Sequence, residues 1–222
     1  MNGFSICLFL QLVSSAVAAD QILFQDDFKS QLGPDWSWRR ENPKAWRVSR
    51  QGLEVRIEPG NMWGPQNDAK NVLLRPTPDP LPTELAFSVT VSNQPTHQYE
   101  QTDLAWYYDD SHMVKLGQEM VDGKVSIVMG REEKDKTRTI VIIPLAAATV
   151  RLQLLVKGDR IHGRFREGES QEWREAGECD LPVLTGVKPR LSLQFYQGAP
   201  DVEHWTRITE FVVTKPGPYE ST

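Results

Sequence analysis

Apolar and polar residues alternate with a period of two through most of this chain. Leu53, Val55 and Ile57 alternate with charged residues, and apolar residues alternate with small ones from 85 to 92. Successive side chains of a β-strand point to opposite faces, so this pattern is typical of strands with one buried face. No segment keeps an apolar stripe of helical period over three turns. The pattern predicts an all-β protein.

The remaining predicted strands are short and regularly spaced. They cover residues 104–108, 112–119, 124–130, 138–143, 149–156, 160–166, 190–196 and 208–214. Turn residues such as Asp122-Gly123 and Gly158-Asp159 separate them. Segments 76–82 and 131–138 are interpreted as connections, the second as a solvated hairpin tip. This organisation predicts a two-sheet antiparallel β-sandwich or jelly roll.

The first nineteen residues contain no Lys, Arg, Asp or Glu. An apolar run over 4–13, followed by small residues up to Ala19, predicts a signal peptide over 1–19 and therefore a secreted or periplasmic protein. A membrane anchor is the alternative, but the run is shorter than the roughly 20 residues that cross a bilayer. We therefore expect no stable membrane insertion. The rest is interpreted as one domain, 20–216, with a short tail, 217–222.

Cysteine content and charge narrow the possible partners. The chain has two cysteines, Cys7 and Cys179, and the first leaves with the signal peptide, so no intramolecular disulfide is expected. The formal net charge is -5, and no basic run exceeds Arg39-Arg40. Binding to nucleic acid is therefore not expected. Seven tryptophans suit either stacking on sugars or a large core.

Two charged residues are threaded into the alternation of the strand over 112–119. If Val114 and Leu116 point into the core, Lys115 and Glu119 share the opposite face, with Gly117 between them. In a curved sandwich that face forms a concave groove, and Gly117 leaves room for a ligand ring. The alternative is an exposed ion pair on a sheet face, which contributes little to stability.

The strand over 190–196 divides in the same way. Its three apolar residues face the core, while Gln194 and Tyr196 share the other face, which Tyr107 joins from a neighbouring strand. Tyrosine, amide and charged groups together provide stacking and hydrogen bonds for sugar hydroxyls. The alternative is a solvated polar sheet, and a register shift of one residue would exchange the faces.

The loop over 60–71 contains Trp63 among several amide side chains. It is interpreted as a sugar platform at one edge of the groove, or alternatively as a cap on the core. The candidate ligand-binding residues are therefore Trp63, Tyr107, Lys115, Glu119, Gln194 and Tyr196.

Several segments, in order, resemble a known family. They are DDF (26–28), WSWRRENPKAWRV (36–48), NVLLRP (71–76), EQTDLAWYYDDSHMVKLGQEMVDGKVSIV (100–128), VRLQLLVKGDRIHGRFREGESQEW (150–173) and LPVLTGVKPRLSLQFYQG (181–198). Together they resemble concanavalin A-like sandwich domains of the "regulation of enolase" type in the lectin and glucanase superfamily. They are also similar to the C-terminal sandwich of family 43 glycoside hydrolases. The resemblance implies a concanavalin A-like jelly roll. Thr102-Asp103 departs from the Ala-Gly usual there.

Catalytic and metal sites are the weaker alternatives. No E-x-D-x-E motif occurs, but Asp103 and Glu119 lie on adjacent predicted strands, and two carboxylates are what a glycan hydrolase or lyase would use. Asp26, Asp27 and Glu210 form a calcium alternative where the first and last strands pair. No other cofactor is expected.

The sequence therefore predicts an exported, non-catalytic module that binds an oligo- or polysaccharide in the sheet groove. A glycan-active enzyme is the first alternative, and a structural or protein-binding envelope module is the second. The oligomeric state does not follow from the sequence.

Overall fold

The computed structural model describes residues 19–217, which form fifteen β-strands and no α-helix. The strands are β1 (Gln21–Asp26), β2 (Ser37–Arg39), β3 (Trp46–Ser49), β4 (Gly52–Arg56), β5 (Val72–Pro76), β6 (Glu84–Ser92), β7 (Gln101–Asp109), β8 (His112–Val121), β9 (Lys124–Glu133), β10 (Lys136–Pro144), β11 (Thr149–Lys157), β12 (Arg160–Glu167), β13 (Arg174–Asp180), β14 (Arg190–Tyr196) and β15 (Trp205–Lys215). The all-β prediction is confirmed. Nearly all of the predicted signal peptide, and most of the predicted tail, lie outside the described residues. Within the described part of the chain no helix is long and apolar enough to cross a membrane.

The strands build two antiparallel sheets that pack face to face. One has eight strands in the order β13-β12-β11-β6-β15-β4-β3, with β1 also paired to β15. The other has seven strands in the order β10-β9-β8-β7-β14-β5-β2. Strands distant in sequence are neighbours in both sheets, as a jelly roll requires. The predicted two-sheet sandwich is therefore confirmed.

The core lies between the sheets, and the predicted inward faces of the seven-stranded sheet are correct. Leu104 and Trp106 of β7, and Val114 and Leu116 of β8, are buried in it together with residues of the opposite sheet such as Phe87. A slip of one residue would move this whole set to the outer face and turn Asp103 and Lys115 into the apolar core, so burial of the apolar face fixes the register.

Three of the strands that the alternation did not predict are short or buried on both faces. β2 has three residues and β3 has four, too few to show a period. The first three residues of β5, Val72, Leu73 and Leu74, are all buried. Leu73 belongs to the core, while Val72 and Leu74 pack beneath the loop over 60–71. A strand covered on both sides does not alternate.

The interpretation of residues 131–138 as a solvated hairpin tip is wrong for its first part. β9 continues to Glu133 and β10 begins at Lys136, so only two residues form the turn. Glu132 is fully buried, and its Oε2 accepts a hydrogen bond from the backbone N–H of Gly64 at 3.2 Å. The loop over 60–71 thus reaches β9 and removes Glu132 from solvent.

The three acids of the calcium alternative have separate partners. Asp26 accepts hydrogen bonds from the N–H groups of Phe28 (2.8 Å) and Gly33 (2.9 Å) and from Nε1 of Trp36 (3.0 Å). The other two acids form ion pairs, Asp27 with Lys29 and Glu210 with Arg151. Residues 19–217 contain no group of three or more His, Cys, Asp or Glu side chains arranged to hold a metal ion. Asp26 is therefore the organiser of the turn after β1.

Replacing Asp26 with alanine should lower the free energy of unfolding by about 2–3 kcal/mol, because it leaves three donors without their acceptor. Urea denaturation measures the loss. The control is Asp27→Ala, whose exposed side chain should cost less than about 1 kcal/mol. Equal losses in the two variants would contradict the assignment.

Candidate functional site

Lys115 and Glu119 lie side by side on the outer face of the seven-stranded sheet, as the alternation predicted. The Nζ of Lys115 is 3.3 Å from Oε2 of Glu119 and 3.7 Å from Oδ2 of Asp103. Only 2% of Lys115 and 7% of Glu119 is exposed, and Asp103 is fully buried. The alternative of an exposed ion pair is therefore wrong. The three charges form a buried cluster, which we call the Lys115 cluster.

The space beside Gly117 belongs to Asp103, which corrects the expectation that a ligand ring would fill it. Gly117 faces Asp103 across β7 and β8. A Cβ atom at this position would lie 1.7 Å from Oδ1 of Asp103 and 2.7 Å from the carbonyl oxygen of Thr102. Glycine is thus required here so that the carboxylate can lie beside the ammonium group of Lys115.

The ammonium group of Lys115 has a complete set of acceptors. It donates to Oε1 of Gln101, to Oε2 of Glu119 at 3.3 Å and to the hydroxyl of Tyr196 at 3.2 Å. An ammonium group carries three hydrogens, so all of them are used inside the protein. The Nζ also lies 4.8 Å from the centre of the Trp63 ring, within the range of a cation–π contact.

The loop over 60–71 folds back over one part of the outer face. Met62 and Ala69 pack there against Tyr107 and Tyr196. Tyr107 is consequently buried, and its hydroxyl donates to Oδ1 of Asp110 at 2.7 Å. The loop is therefore a cap, one of the two alternatives that the sequence left open, and Trp63 remains partly exposed at its edge.

Trp63 lies against β9 because Gly130 has no side chain. A Cβ atom at Gly130 would lie 2.5 Å from Cη2 of the Trp63 indole. Gly130 pairs with Lys115 across β8 and β9, which places the ring beside the ammonium group. The backbone N–H of Trp63 also donates to Oδ1 of Asn61 at 3.0 Å. The ring is therefore held by the sheet and by its own loop.

An open pocket of about 550 Å³ lies next to the Lys115 cluster. Tyr99, of which 50% is exposed, faces it together with Trp63. The complete lining consists of Asn61, Trp63, Tyr99, Gln101, Lys115, Glu119, Val121, Asp122, Val128, Thr139, Ile142 and Gln197. The pocket thus combines two aromatic rings, three amides and a charged floor.

Three of the six predicted ligand-binding residues line this pocket: Trp63, Lys115 and Glu119. The other three do not. Tyr107 lies under the loop, and Gln194 and Tyr196 are fully buried in the layer beneath. Asp103 is not among the lining residues either. The structure therefore brings the predicted residues onto one face but exposes only half of them to a ligand.

The sequence reasoning missed Tyr99, Gln101 and Gln197. A signal existed for Gln101, because it continues the alternation of Asp103 and Ala105 along β7. Tyr99 and Gln197 lie just outside strands, with φ angles of 66° and 62°. Strand alternation says nothing about such left-handed positions. Only the three-dimensional arrangement of the strand ends shows that Tyr99 and Gln197 line the pocket.

Two carboxyl groups in this region, those of Asp103 and Glu132, have a raised pKa. Burial raises the pKa of Asp103 to about 6, against the opposing charge of Lys115. Burial also raises the pKa of Glu132 to about 7, and the hydrogen bond from Gly64 only partly offsets this. Burial likewise raises the pKa of the Tyr196 hydroxyl. The layer beneath the pocket thus resists additional negative charge.

A second concavity of about 540 Å³ lies elsewhere, between the segments 76–81 and 186–190. Proline and aliphatic side chains dominate its wall, with Tyr108 at one side. Its three charged groups, Asp79, Lys188 and Arg190, are exposed, and the first two pair with each other. It lacks the buried polar floor that distinguishes the first pocket.

Comparison with known proteins identifies the family. The sequence model of one protein family, the β-xylosidase C-terminal concanavalin A-like domain, matches residues 25–209. The chain belongs to this family. The predicted resemblance to the C-terminal sandwich of family 43 glycoside hydrolases is therefore confirmed, and the match includes every strand of the concanavalin A-like domain that contributes to the pocket.

Solved structures share the fold of this concanavalin A-like domain. The family 43 protein BlXynB of Bacillus licheniformis aligns with a TM-score of 0.75 and 16% identity, over 86% of this chain and 39% of that one. A family 43 protein of a Bacteroides ovatus xyloglucan locus aligns with a TM-score of 0.70 and 19% identity, over 93% of this chain and 41% of that one. A Saccharomyces cerevisiae protein of unknown function aligns with a TM-score of 0.64 and 14% identity, over 84% of this chain and 98% of that one. The chain thus spans about two fifths of the length of both family 43 proteins. No relative was found among curated protein sequences.

Replacing Glu119 with alanine should lower the free energy of unfolding by about 3 kcal/mol, because it removes one partner of a buried ion pair. Chemical denaturation measures this. The control is Glu178→Ala, whose half-exposed carboxylate pairs with Arg160 and should contribute less than about 1 kcal/mol. If both variants lose the same small amount, Glu119 is solvated.

Glu132 should make the protein less stable as the pH rises. Its pKa is about 7 in the folded state and near 4.5 when unfolded, so between these values the folded protein holds a proton that the unfolded chain releases. Stability that is present below pH 4.5 is therefore lost towards pH 7. Glu132→Gln should remove up to about 3 kcal/mol of this pH dependence.

Denaturation of wild type and Glu132→Gln at several pH values between 4.5 and 8 tests the assignment. Asp103 contributes equally to both proteins, so the difference between the two curves isolates Glu132. Parallel curves would show that Glu132 titrates normally.

Proposed function

We propose that this domain is an exported, non-catalytic carbohydrate-binding module that binds an oligo- or polysaccharide in the pocket beside the Lys115 cluster. The observation that carries the proposal is the pairing of two aromatic rings, Trp63 and Tyr99, with a polar floor on one open surface. The apolar segment over 4–13 supports export, to the periplasm or the exterior.

The chemistry of the lining suits sugars. Aromatic rings bury the apolar faces of a pyranose, and partly exposed rings such as Tyr99 are free to do so. The amides of Asn61, Gln101 and Gln197 provide donors and acceptors for hydroxyl groups. Because Lys115 and Glu119 are fixed by their own contacts, little side-chain freedom is lost on binding.

The comparisons suggest the first ligands to test. The family is described by its place in β-xylosidases, and a structural relative comes from a xyloglucan locus. Both names refer to xylose-containing glycans. Xylo-oligosaccharides and xyloglucan fragments are therefore the leading probes.

The enzymatic alternative requires two carboxylates that flank a scissile bond. Glu119 reaches the pocket, but Asp103 does not line it, and the two share the ammonium group of Lys115. This arrangement favours binding over hydrolysis. The protein-binding alternative would use the same exposed surface, where 50% of Tyr99 and 48% of Ile142 is accessible. Binding of a purified glycan separates it from our proposal.

Tyr99→Ala should weaken glycan binding by about tenfold and leave stability unchanged, since an aromatic contact contributes up to about 1.5 kcal/mol. Trp63→Ala should weaken it at least as much. Calorimetry with xylo-oligosaccharides measures both effects.

The matched control is Trp173→Ala. Trp173 directly precedes β13 of the other sheet, where it stacks with Arg164 and Arg166 at 4.6 and 4.2 Å. This variant should bind normally. A folded wild-type domain that binds no glycan in a broad array would refute the proposal, and capture of a protein partner at the same surface would replace it.

A further inference from the structure

The lining of the pocket carries more negative than positive charge. Among the lining residues, all within the described part of the chain, Lys115 carries the single positive charge. Glu119 and Asp122 are acidic lining residues, and no arginine is present in the lining. The carboxyl groups of Asp103 and Glu132 lie buried close behind.

The positive charge of Lys115 is not available to a ligand. Its three hydrogens are directed to Gln101, Glu119 and Tyr196, and the residue is 2% exposed. A carboxylate that enters the pocket would therefore find no free ammonium hydrogen. It would instead approach the mostly buried carboxylate of Glu119, where water screens the repulsion between like charges less than at a free surface.

We propose that the pocket selects uncharged sugars and rejects uronic acids, and that Glu119 is the residue that enforces this choice. The inference rests on the proposed function and adds the class of glycan to it. Neutral hydroxyl groups meet acceptors and amides here, whereas a uronate meets a lining that carries two carboxylates, Glu119 and Asp122, and one ammonium group that is already fully used. Selectivity of this kind arises from repulsion of the wrong ligand as much as from attraction of the right one.

The test compares two oligosaccharides of equal length, a neutral xylo-oligosaccharide and an oligogalacturonate, by calorimetry at pH 7.5. Wild type should bind the neutral ligand at least tenfold more tightly. Glu119→Gln keeps the size of the side chain and an acceptor for Lys115, but removes the negative charge. It should narrow the ratio of the two affinities at least threefold.

A second variant adds charge without disturbing the floor. Thr139 is an exposed lining residue on β10, so Thr139→Lys should fold normally. The added ammonium group should also narrow the affinity ratio at least threefold. The control is Ser30→Lys, which makes the same change in net charge at an exposed position outside the pocket lining and should leave the ratio unchanged.

The outcomes distinguish a failure of the proposed selectivity from a failure of the proposed glycan-binding function. If wild type binds oligogalacturonate as tightly as the neutral ligand, the selectivity is refuted and the glycan-binding function stands. If wild type binds neither ligand nor any other glycan, both fall. If Thr139→Lys narrows the ratio but a folded Glu119→Gln does not, the assignment to Glu119 is wrong.

Discussion

The buried ammonium group of Lys115 is the interaction on which the outer face of the seven-stranded sheet depends. Taking an ion out of water costs several kcal/mol, and only close partners offset this cost. Gln101, Glu119 and Tyr196 supply the acceptors, and Asp103 adds a second negative charge. The neighbouring residues are constrained in turn. Position 117 must be glycine to admit Asp103, since any Cβ there would overlap the carboxylate.

The same constraint links the sheet to the loop over 60–71. Trp63 covers the ammonium group, and it lies close enough only because position 130 is also glycine. The loop also buries Glu132, which accepts a hydrogen bond from the backbone N–H of Gly64, and it covers Tyr107 with Met62. A face that would otherwise be a solvated sheet thus becomes a second, polar core with one open side. The open side is the pocket.

Strand periodicity predicted the layer in which each side chain lies, but not its exposure. The shared face of Lys115 and Glu119 follows from alternation alone, which depends only on backbone geometry. The burial of Glu132 and Tyr107 depends on a loop distant in sequence, and no local pattern encodes its path. Tyr99 and Gln197 escaped detection for a related reason, since they lie at left-handed positions where strands end. The fold was therefore predictable from the sequence, and the contents of the pocket only in part.

The relatives clarify which properties belong to the fold and which to this chain. At 14–19% identity the compared structures share the sandwich, and in the Saccharomyces cerevisiae protein it accounts for nearly the whole chain. The fold is therefore compatible with both isolated and multidomain proteins, and it does not fix a ligand. A preference for a ligand has to come from the residues that line the pocket of this chain. Lys115, the single cation in the pocket lining, is fully paired within the protein, so under the proposed function recognition comes from uncharged groups and aromatic surface. Charge in this domain organises the floor of the pocket, and in the proposed function the rings and amides above it are the groups that contact the glycan.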